Sequence, residues 1–343
     1  MRSKKWALFV VFALLFTSSC LGETLPLSQR SFSEKATQMG EGEPQVLISE
    51  VLAGIEGNNN HEFIELYNTS STTAVEIEGW TLWYQLEEGK DERILHRWTE
   101  KAVIPPHGHY LLGRTGESYS EVVDVFFDVS LATSRGGLLL RKPDDTRGDS
   151  LSWGEDPQRY GEGENAPAMS RGVSLERKPG GEDGNALDTG NNREDFQLNS
   201  NPEPQGTGSR ITPLEEEYLE VSISGPDSVE PGAEFYYIFE VTNHTDQELH
   251  DLRGEIPLPE EMQVRDLPGS LSLDGLNAVW EAESLDPGET RSSRIPMRAP
   301  WTYISTKVAN YFVSASNWEV PAFGGAVRTT IAGGSIPVET ART

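Results

Sequence analysis

Apolar residues in this chain fall in many short runs bounded by Gly, Pro, Asn and Asp, a pattern of strands rather than of helix bundles. Residues 46–51 open the series. In 61–68, Ile64 and Leu66 alternate with Glu65 and Tyr67, so opposite faces differ in polarity. Residues 75–85 place Trp80, Leu82 and Tyr84 on one side. Further strands are expected at 93–99, 122–127, 137–142 and 149–153. The run 102–112 reads as strand, Pro-Gly turn and strand.

A second series begins after residues 199–213, which are rich in Pro, Gly and Asn and read as a linker. Strands are expected at 218–224, 235–243, 252–258, 278–283, 290–298, 308–316 and 326–331. The tight turn 285–289 precedes 290–298, which has the texture of an edge strand. Regular short strands with turn signals between them predict an all-β protein of two sandwiches. The expected division is a leader at 1–20, a tether at 21–44, a first sandwich at 45–206, a linker at 207–216, a second sandwich at 217–332 and a tail at 333–343.

The N-terminus has a basic start in Arg2, Lys4 and Lys5 and an apolar run from Trp6 to Phe16. That run is shorter than the roughly 20 residues a membrane-spanning helix needs, and fits a secretion signal. The sole cysteine of the 343 residues, Cys20, follows it and has no partner for a disulfide. Thr17-Ser18-Ser19-Cys20 resembles the lipobox of bacterial lipoproteins, with Thr17 in place of the usual Leu. The resemblance implies lipidation at Cys20. Residues 21–44 lack a hydrophobic period and suit a flexible tether between lipid and sandwich.

Several segments resemble the lamin tail domain, an immunoglobulin-like β-sandwich. They are Ser49-Glu50-Val51, Glu62 to Asn68, Gly79-Trp80-Thr81-Leu82, Ile104 to Gly108, Gly137 to Leu140 and Asp149 to Gly154. Val173 to Arg177 and Asp195-Phe196 fit bacterial versions of the family. The resemblance implies a binding or scaffolding module without a catalytic centre. Gly225-Pro226, Pro231-Gly232, Val241-Thr242-Asn243 and Leu285 to Glu289 resemble the immunoglobulin-like repeat domains of bacterial surface proteins. These imply a spacer or protein-binding unit.

The formal charge of −27 argues against a nucleic-acid partner, because phosphate contacts need a basic surface. The lamin association with chromatin therefore does not transfer. The same charge disfavours adhesion to anionic lipid headgroups.

Three constellations invite a site. Glu50, Glu62 and Glu65 are carboxylates close in sequence, but alternation puts Glu62 and Glu65 on opposite faces. They read as structural acceptors of loop N–H groups rather than as an acid–base pair. His107-Gly108-His109 has i, i+2 histidines in a turn with no further ligand nearby in sequence. Asp183, Asp188 and Asp195 lie in an Asp- and Asn-rich loop that could offer oxygens to Ca²⁺, although the EF-hand pattern is missing. No metal and no cofactor are expected. Trp80, Trp153 and Trp280 are expected in cores, whereas Trp83, Trp98, Trp301 and Trp318 leave room for an aromatic face that stacks on sugars.

The sequence thus points to a non-catalytic, lipid-anchored surface protein whose partner is an envelope or extracellular protein, with polysaccharide as the lesser possibility. Alternatively, residues 335–343, SIPVETART, are similar to the first strand of the OB-fold domain that often follows a lamin tail domain. In that case the chain is the non-catalytic front end of a larger exported hydrolase or nuclease.

Overall fold

The computed structural model describes residues 45–86, 91–117, 122–155, 160–213 and 218–332. The leader with Cys20, the tether and the tail lie outside the described residues.

Twelve strands build the first sandwich. In order they are β1 (Val46–Ile55), β2 (Asn58–Asn68), β3 (Val75–Glu76), β4 (Thr81–Gln85), β5 (Arg93–Arg97), β6 (Val103–Ile104), β7 (His109–Arg114), β8 (Val125–Phe127), β9 (Gly136–Arg141), β10 (Arg147–Trp153), β11 (Ser174–Arg177) and β12 (Phe196–Asn199). A short helix, α1 (Asn192–Asp195), precedes β12 and is capped by the Asn191 side chain. One sheet runs β12-β11-β1-β2-β7-β8 and the other β10-β9-β4-β5, while β3 and β6 pair as a separate two-stranded ribbon. Their facing sides share one core, with Ile48, Ile64 and Leu66 from the first sheet and Leu82, Leu140 and Trp153 from the second. Trp80, Trp98 and Trp153 are all buried.

The expected strand 75–85 is split in two, with a turn at Gly79 (φ 79°) between β3 and β4. Only the end of 122–127 is strand, and β8 pairs with β7 in parallel rather than as a hairpin partner. A bulge in β1 between Ile48 and Glu50 resets the register. It keeps Val46, Ile48, Val51 and Ala53 in the core and turns Glu50 outward beside Glu65 of β2 and Glu176 of β11.

The second sandwich holds β13 (Leu219–Ser224), β14 (Ser228–Val229), β15 (Glu234–Asn243), β16 (Leu249–Pro257), β17 (Gln263–Val264), β18 (Leu271–Asp274), β19 (Asn277–Leu285), β20 (Thr290–Arg298), β21 (Ile304–Val308), β22 (Phe312–Ala315), β23 (Trp318–Phe323) and β24 (Val327–Ile331). Alternation is plain in β13, where Leu219, Val221 and Ile223 are buried and the residues between them exposed. The sheets run β13-β15-β20-β17, β14-β24-β21 and β18-β19-β16-β22-β23. Tyr237, Phe239 and Trp280 are central to a core separate from the first.

The opening segment changes sheets at Gly225-Pro226. β13 pairs antiparallel with β15, whereas β14 pairs in parallel with β24. The expected strand 308–316 is broken at Asn310, whose φ of 57° is incompatible with a continuous strand. β20 is less of an edge than its sequence suggests. β15 flanks it along its length and β17 meets its last two residues.

The linker departs furthest from expectation. Asn199 completes β12, and residues 205–212 bind the first sandwich rather than spanning free solvent. The two sandwiches also touch directly. Arg328 Nη2 donates to the Asp124 carbonyl at 2.8 Å, and Asn310 Nδ2 donates to the Lys101 carbonyl at 2.9 Å. Gly208 meets Gly325 so closely that a Cβ on Gly208 would lie 2.8 Å from the Gly325 Cα. Only glycine on both sides permits that approach.

Candidate functional site

The outer face of the six-stranded sheet carries a row of carboxylates, two of them buried. Glu176, Glu50 and Glu65 stand side by side across β11, β1 and β2. Like charges directly opposite one another in a sheet repel, so this row needs compensating donors. Ser174 Oγ donates to Glu50. Ser49 Oγ donates to Glu65 Oε1 at 2.7 Å, and the Gln205 N–H donates to Glu65 Oε2 at 2.7 Å. The Gly181 N–H donates to Glu176 Oε1 at 2.7 Å. Burial pushes the Glu50 carboxyl up to about 7. Burial, with Glu50 alongside, raises Glu65 well above the carboxylate range.

His109 lies next to this row. Burial lowers it to about 4, so it is neutral at pH 7. Its Nε2 is 3.2 Å from Asn185 Oδ1 and 3.6 Å from Glu65 Oε1. With burial favouring the neutral form of each partner, His109 and Glu65 do not form a strong ion pair. The ring packs 4.9 Å from Tyr67, whose hydroxyl donates to the Thr212 carbonyl at 2.6 Å. The Thr212 N–H in turn donates to the His107 carbonyl at 3.0 Å. The His107 carbonyl therefore holds the linker, while His109 packs against the Tyr67 ring whose hydroxyl does so.

Asp124 is the second anchor. Its Oδ2 accepts the Leu111 N–H at 2.8 Å and the Thr207 N–H at 3.1 Å, and its Oδ1 accepts Thr207 Oγ1 at 2.5 Å. Burial raises Asp124 to about 6. Glu62 faces the other way, into the sandwich. It accepts the Leu131 N–H at 2.9 Å and is raised to about 7 by burial. Glu62 and Glu65 thus lie on opposite faces and each accepts a loop N–H. They share no cleft and cannot act as a pair across a substrate.

Inside the sandwich, Arg177 is fully buried. It donates to Asp149 Oδ2 at 2.7 Å, to the Ile48 carbonyl at 2.8 Å and to the Leu187 carbonyl at 2.9 Å. Its guanidinium also lies 4.5 Å from the Phe196 ring centre. Asp149 is nonetheless raised to about 6 by burial, which outweighs the arginine's pull.

The three calcium candidates do not gather. Asp195 is buried, accepts the Thr189 N–H and hydroxyl, and lies 3.8 Å from Arg177. Asp188 accepts the Gly190 N–H, and Asp183 is exposed in the turn Gly181–Asp183. These are Asp side chains serving the loop and its surroundings. Among the described residues no three His, Cys, Asp or Glu come together to hold a metal ion. Cys20 lies outside the described residues.

A groove of about 1040 Å³ opens between the linker and the second sandwich, walled by Thr207 to Ile211, β13 and Gly324 to Val327. Among the described residues its charged lining groups are Arg210 and Glu220, and no nucleophile is paired with a base there. Sequence reasoning missed the docking residues Gln205, Thr207 and Thr212. The signal for them was the strand carboxylates themselves, since a row of three needs a cover that supplies donors.

Residues 41–155 match the family model of the lamin tail domain, about a third of the chain. No curated protein sequence matches at a significant level. Among solved structures, the CARDB domain of the PF1109 protein from Pyrococcus furiosus is 17% identical with a TM-score of 0.24, covering 34% of this chain and 90% of that one. The cohesin module of a family 33 glycoside hydrolase from Clostridium perfringens is 13% identical with a TM-score of 0.25, covering 34% and 96%. The chitin-binding domain of Chi18aC from Streptomyces coelicolor is 15% identical with a TM-score of 0.23, covering 28% and 90%.

Proposed function

We propose that the chain is an exported, lipid-anchored surface protein whose two sandwiches form a stiff binding arm and catalyse nothing. The observation that carries this reading is the use made of the buried ionisable groups. Glu65 and Asp124 hold the linker, Glu62 holds the loop at Leu131, and Arg177 with Asp149 ties β11 to β1 and β10. A catalytic acid or base must reach substrate; these groups are sealed beneath the segments they bind. The groove beside the linker offers a surface for recognition rather than a reaction centre.

In this reading lipid on Cys20 anchors the protein, and residues 21–44 hold the arm off the membrane. The partner is an envelope or extracellular component. Expression of the full chain in a bacterium with a fatty-acid analogue tests the anchor. The label should enter the wild type and not Cys20→Ala. Equal labelling of both, or a mature terminus elsewhere than Cys20, refutes it.

A further inference from the structure

Seven tryptophans fall among the described residues, and six are buried or half-buried. Trp301 is 76% exposed, and Tyr303, two residues on, is 75% exposed. Both lie in the loop between β20 and β21.

The Trp301 ring has a defined seat. A Cβ built on Gly232 would lie 2.5, 2.6 and 2.8 Å from Cζ2, Cη2 and Cε2 of the indole. Three ring atoms at nearly equal distance place that point above the ring face. An approach in the ring plane would leave the two outer atoms much farther than the middle one. The indole therefore lies flat on the Gly232 backbone with its other face turned to solvent. Gly232 combines a φ of 76° with the absence of a side chain the ring would strike. Its N–H donates to the Pro300 carbonyl at 3.2 Å, and Arg298 Nε donates to its carbonyl at 3.3 Å. The two loops are thus tied together beneath the ring.

Polar groups stand beside this plate. Glu234 of β15 and Gln263 of β17 flank Arg298 of β20 in register on the outer face of the sheet. A carboxylate, a guanidinium and an amide in one row offer donors and acceptors to hydroxyl groups. Arg265 Nε also lies 3.6 Å from Glu234 Oε1, so the cluster carries no net negative charge, in a chain that carries −27. A stacked nucleobase would bring phosphate, which that charge repels. Insertion into lipid would strip water from Glu234 and Arg298.

We propose that Trp301 and Tyr303, with the row Glu234–Arg298–Gln263, form a binding site for a neutral polysaccharide of equatorially linked hexose rings. Such rings present flat faces of C–H bonds that stack on an indole, and hydroxyls at their edges that meet the polar row. This rests on the reading of the chain as a non-catalytic binding protein.

The test uses the full chain carrying Cys20→Ala. It is titrated with hexamers of β-1,4-linked glucose and of β-1,4-linked N-acetylglucosamine, followed by tryptophan fluorescence and by retention on cellulose and chitin. At least one sugar should bind, and Trp301→Ala should weaken it about tenfold or more. Trp301→Phe should retain part of the affinity, and both variants should melt with the parent. Failure of the parent to bind either sugar overturns the proposal. So does binding that Trp301→Ala leaves within twofold, or a Trp301-dependent retention on phosphatidylcholine vesicles without sugar binding. Chromatography of the bound sugar separates this site from the wider reading. Shortened oligosaccharides with Trp301-dependent binding would support the site while refuting the non-catalytic reading.

Discussion

Replacing Asp124 by Asn should stabilise the protein at pH 8, by an amount that shrinks as the pH falls. The carboxyl accepts two N–H groups on Oδ2 and the Thr207 hydroxyl on Oδ1. Asn fills the same positions. Its oxygen takes the two N–H groups, and its amide donates to Thr207 once that hydroxyl turns to accept. The hydrogen bonds survive and the buried charge is gone. Burial raises Asp124 from 3.8 to about 6, so the folded protein holds this proton more tightly than the unfolded chain. The contribution to stability is complete below pH 3.8 and is lost as pH rises through 6. The full difference corresponds to about 3 kcal/mol, and the part recovered between pH 8 and pH 5 to about 1.4 kcal/mol. Urea unfolding of wild type and variant at pH 5 and pH 8 measures it. The gap between them should close by about that amount on acidification. Other buried acids shift both curves alike and cancel in the comparison. A variant less stable than wild type at pH 8, or a gap independent of pH, refutes the reasoning.

Arg177→Met should cost about 3–5 kcal/mol, because it leaves Asp149 buried without its cation; adding Asp149→Leu should restore part of the loss in the same unfolding assay. Trp80, 8% exposed in the first core, should cost about 3–5 kcal/mol when cut to Ala, and a melting point within a degree or two of wild type would contradict that placement. Tyr67→Phe should cost about 1 kcal/mol and speed proteolysis within 205–213, since it removes the bond to the Thr212 carbonyl. Purified protein should show no ester, phosphate or glycoside turnover that falls with Glu62→Gln or His109→Ala.

The all-β class was legible because alternation survives wherever one strand face meets a core, as in β13. The buried outer face of the first sandwich was not. An acceptor role was expected for Glu65, but its partner, the Gln205 N–H of the linker, comes from far along the chain, and Glu50 takes its donor from Ser174 of β11. Gln205 and Thr207 look like ordinary linker residues, and their partners Glu65 and Asp124 precede them by 140 and 83 positions. Pairing at that separation leaves no periodic trace. The break at Asn310 was also hidden, since residues on both sides favour strand and only the left-handed φ betrays the turn. Among the candidate residues, the structural part of Glu62 followed from alternation alone, whereas that of His109 needed Asn185 and the linker.

The exchange of sheets at Gly225-Pro226 has a mechanical consequence. β14 follows β13 in the chain, and β24 lies parallel to β14, joined by the Thr330 N–H to the Asp227 carbonyl at 2.9 Å and the Ala332 N–H to the Val229 carbonyl at 3.0 Å. Tension drawn along the chain pulls the start of β13 backward and the end of β24 forward. The two bonds then lie across the line of pull and are loaded in shear together, so both must give way at once. A hairpin loaded at its open end gives way one bond at a time. An arm tethered at one end and gripped at the other would meet drag with its first and last strands in shear, the geometry that resists stretching best.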